Sequence, residues 1–104
     1  MLEAAAETGN FAIGVDSNQD DLFPGTVIVS AMKRVDNAVF NFVESIVDGT
    51  YTPGVTNVGM GEGFAGLSWD DGICSRTFDA NGPEDMVAKL PEIRAAIAEA
   101  RAAI

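Results

Sequence analysis

A carboxylate follows the first apolar segment of the chain, at a place where a ligand group would lie. Asp16 comes directly after the apolar run 11–15, and in open α/β sheets ligands bind beyond the carboxyl ends of the strands. An ionised aspartate accepts hydrogen bonds from two adjacent hydroxyls, as acidic residues do with ribose diols. Asp16 is therefore a candidate ligand-binding residue. The alternative is that its side chain caps the following loop through the local backbone.

A lysine follows the second apolar segment and faces the same edge of the predicted sheet. Lys33 comes shortly after the β-branched run 26–30, and its ammonium group is a compact donor. It could pair with Asp16 or donate to a ligand oxygen, whereas the alternative is a solvated surface lysine. The predicted ligand-binding residues are therefore Asp16 and Lys33.

Two further segments begin like functional motifs but depart from the spacing that the motifs need. The run from Asp16 starts like a calcium-binding loop, but its sixth position is Asp21 instead of glycine and its twelfth is Val27 instead of glutamate. The glycine-rich segment 59–63 lacks the lysine of a phosphate-binding loop and the spacing of a dinucleotide fingerprint. We interpret it as a turn, and we predict neither a metal site nor a cofactor.

Catalytic groups are scarce in this chain. It contains no histidine and one cysteine, Cys74, which excludes a catalytic triad, a Cys-His dyad and a histidine zinc site. Cys74 has no activating neighbour in the sequence and is expected to be a buried thiol. The adjacent Asp70 and Asp71 are typical of a turn, and a hydrolase that pairs Asp16 with a carboxylate of segment 20–21 is disfavoured. We predict that the chain is not an enzyme.

The composition indicates a single acidic domain. The chain has 104 residues, 47% of them hydrophobic, and its 16 acidic and six basic residues give a net charge of -10. This charge repels nucleic acid and anionic membrane surfaces, so neither is an expected partner. No apolar run approaches the ~20 residues that span a bilayer, and residues 1–10 do not resemble a secretion signal.

The spacing of apolar residues predicts alternating helices and strands in the first half of the chain. Residues 2–8 are rich in alanine and glutamate and are followed by a glycine, which predicts a helix. The apolar runs 11–15 and 26–30 predict strands, the first buried on both faces of a parallel sheet. An amphipathic helix that ends at Gly49 is predicted to pack on this sheet through the stripe Val35, Val39, Phe42, Val43 and Ile46.

The second half of the chain is predicted to be less regular. Segments 55–58 and 64–67 read as short extended elements, and residues 68–82 as a loop. A helix is predicted from Pro83 to the last residue, with an apolar face between Met86 and Ile104 and a kink or break at Pro91. The predicted fold class is α/β, with a mostly parallel sheet and flanking helices.

Several sequence blocks, in this order, resemble one protein family. The blocks 13–19 (IGVDSNQ), 24–27 (PGTV) and 30–36 (SAMKRVD) are followed by VDG at 47–49, PG at 53–54 and the region around 66–67. They resemble the basic membrane protein family of ABC-transporter substrate-binding proteins, which includes purine nucleoside receptors. The resemblance covers almost the whole chain and identifies it with the C-terminal third of such a protein.

The resemblance carries expectations about fold and function. It implies part of a type I periplasmic-binding-protein-like fold, in which two α/β lobes close around a ligand, and an extracytoplasmic parent lipoprotein that delivers a solute to an ABC permease. In nucleoside-binding members the aspartate and lysine that correspond to Asp16 and Lys33 contact the ribose. The alternative function is a truncated domain that acts through protein association, as a homo-oligomer or with a missing lobe, through the apolar face 86–104.

Overall fold

Three strands and five helices follow one another along the chain in the computed structural model, which describes residues 1–104. The strands are β1 (Ala12–Asp16), β2 (Val27–Lys33) and β3 (Ala65–Leu67). The helices are α1 (Leu2–Thr8), α2 (Val35–Asp48), α3 (Thr77–Asn81), α4 (Glu84–Val87) and α5 (Leu90–Ala102).

The three strands form one sheet with β2 in the middle, in the order β1-β2-β3. β1 and β2 run parallel, with Gly14 opposite Ser30 and Asp16 opposite Met32, whereas β3 runs antiparallel to β2. The predicted α/β class is confirmed. Because β1 and β2 are parallel neighbours, their carboxyl ends meet at one edge of the sheet.

Two predicted elements differ in the structure. Residues 55–58 form no strand, and Val55 is 95% exposed, so this segment does not pack on the sheet. Residues 77–81 were predicted as loop but form α3, because Phe78 is buried in the core and fixes this segment. Tertiary burial here outweighs the local turn signals.

The predicted helix ends agree with the structure. α1 and α2 end at Gly9 and Gly49, whose φ angles of 69° and 72° place them in the left-handed region that glycine adopts freely. The C-terminal helix is broken in two, and Pro91 lies in the first turn of α5, where its missing N–H is not needed.

The core lies between β2 and the three C-terminal helices. Its buried cluster consists of Val29, Trp69, Phe78 and Leu90, and Val27 of β2 is also fully buried. Met86, Val87, Ile93 and Ile97 of α4 and α5 pack against this cluster. The apolar face between residues 86 and 104, which we expected to be available for association, is therefore largely used inside the chain, and Ile104 is its exposed end.

The other side of the molecule exposes apolar side chains. Ile13 and Val15 of β1 are each 54% exposed, so the prediction that β1 is buried on both faces was wrong. The apolar stripe of α2 is also more than half exposed and does not pack on the sheet as predicted. One physical reason explains both exposures. The C-terminal helices pack on the cluster around Phe78 and Leu90, so they do not cover β1 or α2.

A buried carboxylate joins three separate parts of the chain. Asp20, which is 1% exposed, accepts a hydrogen bond from Ser30 Oγ at 2.6 Å and one from Ser75 Oγ at 2.5 Å. The Ser30 amide in turn donates to Ser68 Oγ at 2.9 Å. We call these four residues the Asp20 network. It fastens the loop after β1 to β2 and to the segment that follows β3.

The Asp20 network also explains why residue 14 is a glycine. A Cβ atom on Gly14 would lie 2.2 Å from Ser30 Oγ, far inside van der Waals contact. Ser30 Oγ therefore occupies the space that any larger residue would need in β1.

Two arginines attach α5 to the rest of the chain. Arg94 donates two hydrogen bonds to Asp79, at 2.9 and 2.6 Å, and its guanidinium lies 4.4 Å from the centre of the Trp69 ring. Arg101 donates two hydrogen bonds of 3.0 Å to Asp70. Paired, planar contacts of this kind fix orientation better than a single ion pair does.

Removing one donor from the Asp20 network is expected to destabilise the fold. In Ser75→Ala, Asp20 Oδ2 loses its hydrogen bond while the carboxylate stays buried, which should lower the free energy of unfolding by about 1.5–3 kcal/mol. Urea denaturation followed by circular dichroism measures this change. The control is Ser17→Ala, at an exposed position in the loop after β1 that also contains Asp20. Its free energy of unfolding should differ from that of wild type by less than about 0.5 kcal/mol. Equal unfolding midpoints for Ser75→Ala and Ser17→Ala would contradict the structure.

The Arg94–Asp79 pair predicts a specific loss of stability in acid. Hydrogen bonds from Arg94 lower the pKa of Asp79 below its usual value. A lowered folded-state pKa contributes stability at neutral pH that is lost as the pH falls below about 4. Wild type should therefore be more stable than Asp79→Asn at pH 7, and the gap should close in acid. Urea midpoints between pH 7 and pH 3 measure it, with the exposed Asp71→Asn as control; a gap that does not depend on pH would refute the prediction.

Candidate ligand-binding site

Asp16 ends β1 in an unusual backbone conformation. Its φ angle is 71°, and the Ser17 amide donates to the Val15 carbonyl at 2.9 Å, across Asp16. A hydrogen bond between residues two apart with positive φ between them is the pattern of a γ-turn. A γ-turn with positive φ at its central residue is rare and strained. The turn directs the carboxylate out from the carboxyl end of β1.

Lys33 ends β2 directly beside Asp16. The prediction placed it after a strand that ended at Ser30, but β2 continues through Lys33. Lys33 Nζ lies 3.3 Å from Asp16 Oδ1, and the two side chains are 68% and 67% exposed. The structure thus brings both predicted residues together at the edge where the parallel strands end. Their contact with a ligand stays a prediction.

The exposed Asp16–Lys33 pair contributes little to stability. Ion pairs in contact with water are worth ~0–1 kcal/mol, because solvent screens the attraction and both side chains lose freedom. Either group can therefore exchange its partner for a ligand atom at small cost. Chemically, the site offers a carboxylate acceptor and an ammonium donor side by side.

Gln19 is part of this site, although we did not single it out from the sequence. Its side-chain Oε1 accepts a hydrogen bond from the Val15 amide at 2.9 Å, and its own amide donates to Ser30 Oγ at 3.0 Å. The spacing gives no signal for this contact, because it depends on the chain folding back after Asp16. Gln19 connects the turn at Asp16 to the Asp20 network.

The site is an open edge and not an enclosed pocket. Neither Asp16 nor Lys33 lines any of the three cavities of the chain. A cavity of about 470 Å³ lies instead between α1 and β1, and all of its lining residues are apolar. The Asp16–Lys33 edge is therefore open to solvent.

The other carboxylates considered from the sequence have structural partners. Asp20 belongs to the buried network, and Asp21 accepts a hydrogen bond from Thr77 Oγ1. Asp70 accepts from the Leu67 amide at 2.8 Å and pairs with Arg101. Burial raises the pKa of Asp70, but these hydrogen bonds outweigh it and leave the pKa below its usual value.

The segments read as turns are turns, but the thiol is not buried. Glu62 Oε2 accepts from the Gly59 amide at 2.8 Å and closes the predicted glycine-rich turn. Cys74 is exposed, so the prediction of a buried thiol was wrong. It lies in a turn with φ of 52°, and its amide donates to the Asp70 carbonyl at 2.8 Å. This reversal of the backbone leaves the side chain in solvent.

None of the helices has both the length and the apolar character needed to cross a membrane. No group of three or more histidine, cysteine, aspartate or glutamate side chains is arranged to hold a metal ion.

Curated proteins similar to this chain include lipoproteins and a basic membrane protein. An uncharacterized lipoprotein of Pyrococcus abyssi is 38% identical over 63 residues, which cover 60% of this chain and 15% of that protein. Basic membrane protein D of Borreliella burgdorferi is 40% identical over 50 residues, covering 46% of this chain and 15% of that protein. No protein-family model matches the chain. The chain thus spans less than a fifth of the length of these relatives.

A solved structure is similar in both sequence and fold. The solute-binding protein of an ABC transporter system from Aeropyrum pernix K1 is 40% identical and superposes with a TM-score of 0.51, covering 64% of this chain and 18% of that one. These similarities confirm the resemblance predicted from the sequence over about two thirds of the chain or less: the chain is similar to a segment of basic membrane protein D and to a segment of an ABC-transporter solute-binding protein.

Proposed function

We propose that this chain is part of a solute-binding protein of an ABC importer, and that Asp16 and Lys33 contact the ribose hydroxyls of a purine nucleoside. The observation that carries the proposal is the 3.3 Å approach of Lys33 Nζ to Asp16 Oδ1 at the open carboxyl edge of two parallel strands. The similarity to a solute-binding protein over 64% of the chain supports it.

The chemistry of the pair suits a vicinal diol. Each hydroxyl of a diol both donates and accepts, so a carboxylate that accepts from two hydroxyls leaves their lone pairs free for a donor. Asp16 supplies the acceptor and Lys33 the donor, 3.3 Å apart. The chain has no histidine that could act as a base, and we propose binding without a reaction.

The proposed setting is outside the cytoplasm. Relatives from Pyrococcus species are named lipoproteins, which supports an extracytoplasmic parent protein held at the membrane by a lipid. In that setting the solute would pass from this protein to the permease of the importer. Closure of a second lobe would cover the side of the ligand that the Asp16–Lys33 edge leaves open.

Nucleoside binding should depend on the Asp16 carboxylate. Isothermal titration of the chain with adenosine, guanosine and inosine should show saturable binding. In Asp16→Asn, one acceptor oxygen becomes an NH₂ donor, and affinity should fall at least tenfold, about 1.4 kcal/mol. Asp36→Asn is the matched control because Asp36 is also an exposed aspartate paired with a basic residue, Arg34.

Two comparisons decide the outcome of this titration. A 2′-deoxynucleoside should bind more weakly than its ribonucleoside, because one hydroxyl that Asp16 would accept is missing. Binding that is equal in wild type and Asp16→Asn, or no binding at millimolar nucleoside, would refute ribose recognition by this chain.

A second candidate function is association with another polypeptide. The observation that favours it is the exposed apolar stripe of α2, in which Val39 and Val43 are 57% and 52% exposed. Exposed contiguous apolar surface of this kind marks an interaction site. The partner we propose is the remainder of a solute-binding lobe, because the relatives extend far beyond the matched segment and a charge of -10 opposes the pairing of two copies.

Co-purification tests this association. The chain should form a 1:1 complex with the Aeropyrum pernix solute-binding protein from which the matched segment has been deleted, and Val39→Lys with Val43→Lys should abolish it. Val55→Lys, at a 95% exposed position outside α2, should bind like wild type. Sedimentation velocity of the chain alone should show a monomer; a concentration-dependent dimer would favour a second copy as the partner instead.

A further inference from the structure

Asp16 holds a backbone conformation that must be stabilised by its surroundings. It is one of two non-glycine residues with positive φ, the other being Cys74. Residues in this region persist there where neighbouring groups over-determine the conformation, and such sites are concentrated where function needs a fixed geometry. The question is which group holds Asp16.

Both backbone polar groups of Val15 are used in the turn. Its carbonyl accepts from the Ser17 amide at 2.9 Å, and its amide donates to Gln19 Oε1 at 2.9 Å. β1 is an edge strand, so an outward-facing amide here has no neighbouring strand to pair with. The side chain of Gln19 takes the place of that strand.

The backbone of Gln19 is held in place by the Asp20 network. Its amide donates to Ser30 Oγ at 3.0 Å, and the same oxygen donates to the buried Asp20 carboxylate at 2.6 Å. The Gln19 side chain therefore extends from a rigid, buried point to the exposed turn. Changes at Gln19 should reach Asp16 without disturbing the core.

We propose that Gln19 is a positioning residue for the ligand site. By accepting the Val15 hydrogen bond it holds Asp16 in the left-handed conformation, and so keeps the carboxylate beside Lys33 before any ligand arrives. The predicted effect of Gln19 on nucleoside affinity rests on the proposed function, whereas its predicted effect on the conformation of Asp16 does not. Gln19 does not itself pair with Asp16 or Lys33, but by positioning Asp16 it would contribute to the affinity for the proposed ligand.

Substitutions at Gln19 separate the hydrogen bond from the shape of the side chain. Gln19→Met has similar length but no acceptor at the Oε1 position, so Asp16 should relax to negative φ and lose its contact with Lys33. Gln19→Glu keeps an acceptor oxygen and should retain the wild-type conformation. Asn41→Met is the matched control, since it removes an exposed amide whose hydrogen bond, to the Asn37 carbonyl, lies within α2.

NMR spectroscopy of the chain reads out the conformation directly. Positive φ gives a strong NOE between the amide and α protons of the same residue, and proximity of the pair gives an NOE between the side chains of Asp16 and Lys33. Both signals should be present in wild type, Gln19→Glu and Asn41→Met, and should be lost in Gln19→Met. The Val15 amide of wild type should also be protected from hydrogen exchange, although it lies on an open edge.

The outcomes distinguish this inference from the proposed function. If Asp16 keeps positive φ in Gln19→Met, or if the Val15 amide of wild type exchanges freely, Gln19 does not position it, whatever the nucleoside titration shows. If the conformation is lost and nucleoside affinity falls at least tenfold in Gln19→Met, both proposals stand. If it is lost while wild type binds no nucleoside, the positioning role stands and ribose recognition fails.

Discussion

The Asp20 carboxylate is the constraint around which the rest of the chain is arranged. A carboxylate that is 1% exposed would be very unfavourable without donors, and two serine hydroxyls supply them. One hydroxyl, that of Ser30, comes from β2, and the other, that of Ser75, lies 55 residues after Asp20 in the chain. The loop after β1, the central strand and the segment before α3 can therefore satisfy their polar groups only in one relative arrangement.

The geometry of the candidate site at Asp16 and Lys33 depends on this arrangement. Ser30 contacts Asp20 on one side and the Gln19 amide on the other, and Gln19 in turn holds the amide of Val15. The exposed turn at Asp16 is thus two hydrogen bonds away from a buried, fixed point. A site on a short loop gains precision in this way from a scaffold that is already rigid.

Much of the fold could be predicted from local patterns, and the failures have a common cause. The helix ends at Gly9 and Gly49, the strands that lead to Asp16 and Lys33, and the break just before Pro91 follow from propensity and backbone chemistry. The predictions of a strand at 55–58, a loop at 77–81 and a buried Cys74 were wrong, because they depend on which segments pack on the sheet, what fills the core and how a turn reverses. These features depend on tertiary contacts, which the spacing of apolar residues along the chain does not predict.

The two residues of the candidate site could be predicted from the sequence, but the residues that hold them in position could not. Asp16 and Lys33 could be named because a carboxylate and a cation follow two strands whose ends must meet if they are parallel neighbours. Gln19 and Asp20 could not, since their roles arise from contacts across the folded chain. Placement of the chain in the C-terminal third of a two-lobe protein stays a prediction.

Because the Asp16–Lys33 pair is exposed, its charges are screened by dissolved salt, and this bears on the salt concentrations at which the proposed binding would work. At physiological ionic strength charges are screened beyond about 8 Å, and at molar salt beyond about 3 Å, close to the length of a direct contact. A net charge of -10 repels anionic solutes in dilute buffer and loses that influence in brine. A neutral nucleoside, the solute proposed above, carries no charge for the salt to screen, so we expect its proposed binding at this edge of the sheet to be similar at low and at high salinity.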